Sequence, residues 1–321
     1  MLEKETPLLV FALRRLLSAI PTLLIVTLLV FGMVKLLPGD PARLMLGEEA
    51  TPQALTELRH SMGLDRPLAQ QYVGWLGSVL HLDFGASLKD NTSVGSLIAD
   101  KLPVTIELAV FSMLISLLIA LPAGLLSALR RGSWVDQGVT LLALSGISLP
   151  NFFLGILLIY LFSIRLAWIP ASGYTSLLEN PARNLLLLLL PAVTLGVHSG
   201  AVLTRYLRSS LSETLMQDYV RTAHAKGLPA RRVTLKHALR NALIPFLTVF
   251  GLQLGGLLGG AVITEQIFSI PGFGRLLVDA VFTRDLPVIQ GMVLVSAVAV
   301  FLVSFLVDLG YAAADPRIRY S

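Results

Sequence analysis

Six stretches of this chain are long and apolar enough to cross a lipid bilayer, and that constrains its fold more than any other feature. A transmembrane helix needs about 20 largely apolar residues. Windows at roughly 16–37, 104–129, 138–163, 185–204, 242–264 and 288–312 meet that requirement. Only 14% of the residues are charged, against about 25% in soluble globular chains. The expected architecture is therefore an all-α, polytopic membrane protein with six transmembrane helices. The first window follows Arg14 and Arg15 as a signal peptide would. Its apolar run from Leu16 to Leu37 nevertheless exceeds the roughly 7–15 residues of a signal core, and no small-residue cleavage site follows. It is read as a retained span.

Lysine and arginine in the short loops set the orientation. Arg14 and Arg15 precede span 1, Arg130 and Arg131 follow span 2, and Arg317 and Arg319 follow span 6. Eight basic residues, from Arg205 to Arg240, lie between spans 4 and 5. The opposite loops hold only Arg165 with Arg183, and Arg275 with Arg284. Both termini and the basic arm are thus expected in the cytoplasm. The net charge of +5 does not point to nucleic acid, because the basic residues sit between apolar spans where topology explains them. The chain has no cysteine, which excludes disulfides, thiol nucleophiles and cysteine metal sites.

The organisation expected is a tail and first helix at 1–37, an extracytoplasmic segment at 38–103, a five-helix core at 104–312 with a cytoplasmic loop at 205–241, and a tail at 313–321. In the outside segment Thr51 and Pro52 form an N-cap and N1 pair. Leu55, Leu58 and Met62 then share a face, and Gly63 stops the helix. A second helix places Leu68, Tyr72, Trp75, Leu76 and Val79 on one face. This segment reads either as a structural cap or as a docking surface for an external delivery protein.

The basic arm reads DYVRTAHAKGLPARRVTLKHALRNALIP over 218–245. Asp218 opens a helix, where an acid favours the N-terminus, and Gly227 with Pro229 closes it. A second helix starts near Ala230 and runs toward span 5. Ala223 and Gly227, with Ala225 between them, form a shallow face, and Arg221, Lys226, Arg231 and Arg232 surround it. A solvated loop that is basic only for topology is the plainer alternative.

Polar groups within the apolar runs are Glu107, Asn151, His198, Gln253, Glu265 and Asp308. Each reads as an interhelical hydrogen bond or interface anchor, or, for Glu107, Asn151, His198, Gln253 and Glu265, as the lining of a solute path. Glu265 and Gln253 are favoured for the path. Span 5 repeats glycine at 251, 255 and 259, and again at 256 and 260, a pattern that lets helix backbones touch. Pro122, Pro150 and Pro191 are expected to kink spans 2, 3 and 4.

The arm resembles the cytoplasmic coupling loop of permease subunits of binding-protein-dependent ABC importers. That loop runs Glu-Ala-Ala, three residues, Gly, then an Ile/Leu-Pro. Here the counterparts are Arg221-Thr222-Ala223, Gly227 and Leu243-Ile244-Pro245, so arginine replaces the glutamate and the distance to the proline differs. The longer form is similar to the dipeptide/oligopeptide/nickel branch. So are LPGDPARL at 37–44, MGLDRPLAQQY at 62–72, DFGASL at 83–88, PVTIELA at 103–109, SGISLPNFFLGILLI at 145–159, PGFGRLLVDAVFTRDLPVIQG at 271–291 and DPRIRY at 315–320. Some stretches resemble glutathione-type permeases of that group.

The resemblance implies a type I ABC importer permease fold in a bacterial or archaeal inner membrane. It also implies a sister permease, usually a different chain, two ATPase subunits, an extracytoplasmic substrate-binding protein and a peptide-like solute. On that reading Ala223 and Gly227 seat against an ATPase groove, and Asp218, Arg221 and Lys226 make polar contacts around it.

The chain has no G-x-x-x-x-G-K-S/T phosphate loop, so ATP and Mg are expected on the partner subunits and no cofactor on this chain. Its five histidines are scattered and no metal site is expected. It contains no G-x-S-x-G elbow, and no catalytic residue is assigned. The rivals are a self-sufficient secondary transporter, a membrane-embedded hydrolase and a structural assembly protein. The first would show internal repeats with broken helices, and none is evident between the halves. The second would need a catalytic pair, and none assembles. The third leaves the basic arm unexplained.

Overall fold

The computed structural model describes residues 8–36, 41–46, 51–61 and 63–314. The start of the 37–44 motif, Met62, and the 315–320 motif with Arg317 and Arg319 lie outside the described residues. The described chain is helical throughout. In order the elements are α1 (Leu8–Leu36), α2 (Pro41–Leu46), α3 (Pro52–Ser61), α4 (Leu68–Leu80), α5 (Val94–Leu129), α6 (Trp134–Ser148), α7 (Asn151–Leu158), α8 (Pro181–Leu215), α9 (Asp218–Ala225), α10 (Ala230–Arg232), α11 (Leu239–Ile267), α12 (Phe273–Thr283) and α13 (Leu286–Ala314). A wider π-helical stretch extends α7 over Ile159–Arg165, and another joins α10 to α11 over Val233–Ala238. Five helices are long and apolar enough to span a membrane, and the pair α6/α7 makes a sixth span if counted as one.

That pair corrects the expectation of a kinked third span. The chain bends by 99° between α6 and α7. Pro150 offers no amide to the helix and forces the residue before it out of helical geometry. Leu149 accordingly adopts an extended conformation, with φ −79° and ψ 122°. By contrast α5 and α8 run on unbroken through Pro122 and Pro191, and α11 through Pro245. Several helices also outrun their apolar windows. Helix α5 starts ten residues before residue 104 and α8 continues eleven past residue 204. Asn180 opens α8 by accepting the Arg183 amide at 3.0 Å, with Pro181 at the first helical position.

The chain divides into two compact units. The first, residues 1–15, 104–275 and 300–321, is built around α8. Leu188, Leu195, Leu203 and Leu207 of α8 join Leu108, Met113, Phe246, Leu257 and Phe268 in one core. Small residues set the helix spacing. A Cβ on Gly196 would stand 2.8 Å from both Ile115 Cγ2 and the Ser112 carbonyl. Gly146 lies against Ala201, and Gly124 against Leu207. Some buried hydroxyls bond back within their own helices, Ser112 to the Leu108 carbonyl and Thr204 to that of Gly200, both at 2.7 Å. Among the described glycines of the expected stripe, Gly251 is packed within the chain, against Val307, whereas Gly255, Gly256 and Gly259 meet open space. Arg15 pairs with Asp308 at 2.6 Å.

The second unit, residues 16–103 and 276–299, holds α2, α3 and α4. Thr51 caps α3, accepting the Ala54 amide at 3.3 Å, and Gly63 ends the turn with φ +63°. Helix α4 packs on α1 through Tyr72 and Trp75, whose rings lie 5.5 and 5.8 Å from that of Phe31. Asp285 is buried and takes the Ser87 hydroxyl at 2.5 Å and the Leu88 amide at 3.2 Å.

The expected consequence concerns packing. Gly196→Ala overpacks the α5/α8 contact and costs about 1–3 kcal/mol. Gly255→Ala, at an open position, leaves the isolated chain unchanged. Thermal unfolding of the purified chain in one detergent separates the two outcomes.

Candidate functional site

The basic arm is a folded structure. Helix α9 starts at Asp218, and the Thr222 hydroxyl returns to the Asp218 carbonyl at 2.9 Å. It ends in a glycine-terminated cap. The Gly227 amide bonds the His224 carbonyl at 2.9 Å and the Leu228 amide bonds that of Ala223 at 3.4 Å. This is the pattern of a left-handed residue just past a helix end, and Gly227 has φ +76°. A β-carbon there would meet nothing within 4 Å, so the glycine serves the turn and leaves open space outside it. The chain then turns at Pro229 into α10.

One face of the arm is buried against its own bundle. Val220, Ala223, Val233, Ala238 and Ala242 pack with Leu211 of α8 and Ala128 of α5, with Leu228 alongside. Asn241 donates to the Tyr219 hydroxyl at 2.7 Å, and Ser210 donates to the Ala242 carbonyl at 3.0 Å. The structure therefore changes the make-up of the outward face. Ala223, at 8% exposure, turns inward because it shares a helix face with Val220. Ala225, Lys226 and Gly227 remain exposed, with Asp218, Arg221, Arg231 and Arg232 around them. The Arg221–Asp218 pair, at 3.5 Å and fully solvated, contributes little.

Beside the arm's footing sits a charge pair that sequence reasoning missed. Asp136, in the first turn of α6, accepts Arg208 Nε at 2.5 Å and Nη2 at 2.8 Å. It also takes the Ser127 hydroxyl at 2.5 Å and the Gly132 amide at 2.9 Å. Helices α5, α6 and α8 and the 130–133 turn thus meet on one buried carboxylate. The signal was a lone acid and a lone base near the ends of two apolar runs; their pairing needs three-dimensional proximity.

The five candidate path residues sit on four helices: Glu107 on α5, Asn151 on α7, His198 on α8, and Gln253 and Glu265 on α11. Glu265 is fully buried. It accepts the Thr105 hydroxyl at 2.5 Å and the Arg275 amide at 2.8 Å, while Thr105 accepts the Phe273 amide at 2.8 Å. The Pro271–Gly274 turn wraps its carboxylate so closely that a β-carbon on Gly272 would overlap it. The side chain faces the start of α12. Glu107 accepts the Tyr174 hydroxyl and the Asn184 amide nitrogen, each at 3.0 Å. Burial, reinforced by that carboxylate, pushes the Tyr174 phenol up to about 12. Gln253, Asn151 and His198 are half-buried, and His198 Nδ1 has no hydrogen-bond partner among the described residues. No hydrogen bond among the described residues joins any two of the five.

Residues 120–320 match the family described as binding-protein-dependent transport system inner membrane component. Residues 8–109 match the N-terminal region of such membrane components. The chain belongs to this family. It is 46% identical to the di/tripeptide transport system permease protein DppB of Pseudomonas aeruginosa, over 97% of this chain and 98% of that one. It is 43% identical to the glutathione transport system permease protein GsiC of Escherichia coli, over 97% and 99%. Among solved structures, an inward-facing form of the MetNI methionine ABC transporter superposes with a TM-score of 0.57 at 17% identity, over 68% of this chain and 96% of that one. That likeness shows the fold, the one expected for a type I importer permease.

Removing one member of the buried pair leaves the other without compensation. Asp136→Asn is expected to cost about 3 kcal/mol, the low end for a buried pair because Arg208 keeps some solvent contact. Arg208→Lys does not restore the loss, since the fork of two bonds needs a guanidinium. Thermal unfolding of the purified variants checks both.

Proposed function

We propose that this chain is the permease subunit of an ATP-driven importer for peptides or a peptide-like small solute. With a sister permease, most often a different chain, it would form the translocation path. Two ATPase subunits, carrying ATP and Mg, would bind on the cytoplasmic side, and an extracytoplasmic substrate-binding protein would deliver the solute. Hydrolysis belongs to the partners, and this chain contributes no catalytic group. The solute class rests on the names of the relatives, which handle di- and tripeptides and glutathione. The loop charges support a cytoplasmic location for both termini and the arm.

The observation that carries the coupling role is the arm, which is exposed along one face and anchored along the other. Its Ala225–Gly227 face is open, while Val220 and Ala223 are fixed to α5 and α8. A push delivered to the open face therefore moves the helices instead of bending a loop. Asp218, Arg221 and Lys226 stand around that face for polar contact with an ATPase groove.

Two experiments test the proposal. Purification of the tagged chain from gently solubilised native membranes is expected to recover a second six-span permease and P-loop ATPases. Recovery of the chain alone from active membranes sinks the importer reading in favour of an ion-driven carrier. For the arm, Gly227→Glu and Ala225→Glu are expected to abolish ATP-dependent uptake while normal amounts of protein stay in the membrane. Ala225 lies in regular helix, so its replacement adds bulk and charge without disturbing the turn. Normal uptake by that variant removes the arm from the coupling role.

A further inference from the structure

Helix α4 has three distinct sides. Tyr72 and Trp75 face α1, where the Tyr72 hydroxyl meets Thr27 Oγ1 at 2.8 Å. Gln70, Gly74 and Ser78 line a cavity of about 460 Å³ together with Lys35 and Arg66. The third side runs Ala69, Val73, Leu76, Leu80, a spacing that puts apolar side chains in one row. Its ends are uncovered, Val73 at 66% and Leu80 at 75% exposure, with Leu76 between them half-buried. Leu68 at its start and Leu82 just beyond its end are equally bare.

The depth of α4 follows from its partner on α1. Among the described residues the apolar span of α1 runs from Ala12 to Met33, within an apolar run of sequence that reaches Leu37. Thr27 lies six residues before Met33, about 9 Å at helical rise. The Tyr72 hydroxyl is therefore held at the level of the apolar span of α1. The same helix reaches the span's edge at Gln71, whose Oε1 accepts from Lys35 Nζ at 2.6 Å. Phe31, Tyr72 and Trp75 form an aromatic group at this level, the position where aromatic side chains gather in membrane proteins.

Charge distribution agrees. The thirteen residues of α4 include no acid and no base. The charged groups of the surrounding segment lie outside it, Arg59, His60, Asp65 and Arg66 before and Asp83, Lys89 and Asp90 after. The row also continues a lipid-facing surface, because Leu24, Ile25, Leu28 and Leu29 of α1 are exposed along the apolar span.

We propose that α4 lies in the membrane interface, with the Val73–Leu80 row against the acyl chains of the leaflet that α1 leaves at Lys35. Interfacial helices bury an apolar face about 5–10 Å below the headgroups, which matches the Thr27 depth. Lys35 and Arg66 then stand at the level of the lipid phosphates. The segment between the first two spans is thus partly a membrane element and not wholly an aqueous domain. This inference does not depend on the importer reading.

The absence of cysteine permits a direct test. Single cysteines at Val73 and Leu80 carry a nitroxide label in the full chain, reconstituted in vesicles of phosphatidylethanolamine and phosphatidylglycerol. Leu29→Cys marks lipid and Glu57→Cys marks water. Labels at 73 and 80 are expected to behave like Leu29, colliding several-fold more with oxygen than with a water-soluble nickel chelate. Behaviour like that at Glu57 overturns the proposal, and so does a label reached by neither reagent, which means protein covers the face. Native Trp75 gives a second reading in a Trp134→Phe, Trp168→Phe background. Its fluorescence should fall more with lipids brominated near the headgroup end of the chain than near the terminal methyl, and no quenching by either overturns the proposal.

Discussion

Inside a bilayer no water is available to satisfy a polar group, so each one must find its partner in the protein. Much of this chain is arranged around that requirement, although Ser163 Oγ, Asn184 Oδ1, His198 Nδ1 and Ser212 Oγ are buried with no partner among the described residues. Helices take care of the backbone. Serine and threonine hydroxyls bond back to carbonyls one turn earlier, as Ser112 and Thr204 do. The carboxylates that remain are each enclosed. Asp136 is held by a guanidinium, a hydroxyl and an amide, and Glu265 by a hydroxyl and an amide at the head of α12. These groups join elements distant in sequence, Ser127 to Arg208 and Thr105 to Phe273.

The first unit is organised on α8 for a related reason. Lipid gives little hydrophobic drive for helices to associate, so close backbone approach matters more. Gly196 and Gly200 let α5 touch α8, and Gly146 lets α6 do so. The bend at Pro150 brings α7 back across the same helix, where Gly155 meets Phe268 and Thr194. The arm rests on this base. Its anchor residues extend the core at Leu211, and the Asp136–Arg208 pair pins the adjacent ends of α5, α6 and α8. An arm supported in this way suits the transfer of motion, whereas a solvated loop would not.

The apolar runs predicted the five helices long enough to span and the bent α6/α7 pair that makes a sixth if counted as one, because composition alone decides whether a helix is tolerated in lipid. The α9 helix, its stop at Gly227 and the helix beginning at Ala230 were also legible, since capping is a local property of a few residues. Less was legible of what the side chains do. Ala223 reads as part of an exposed small-residue face, yet its side of α9 was settled by packing with Val233 and Ala238. Glu265 reads as a path residue because a carboxylate in an apolar run is costly. The structure relieves that cost internally, with the glycine turn at 271–274 folded over the charge. Of the glycines in span 5, Gly251 faces Val307, whereas Gly255 and Gly259 stay open. Identical residues at a regular spacing thus have different neighbours.

The sequence by itself determined the class of molecule, the number of apolar crossings, the helical arm and the family resemblance. Those depend on residue type, short-range spacing and motif order. Tertiary structure alone decided that Pro150 breaks a span while Pro122 and Pro191 do not, that Asp136 pairs with Arg208, and that the 271–274 turn encloses Glu265. The physical reason is that lipid imposes the same demand on every helix, whereas the partner that satisfies a given polar or small residue is chosen by which helices come within a few ångströms of one another.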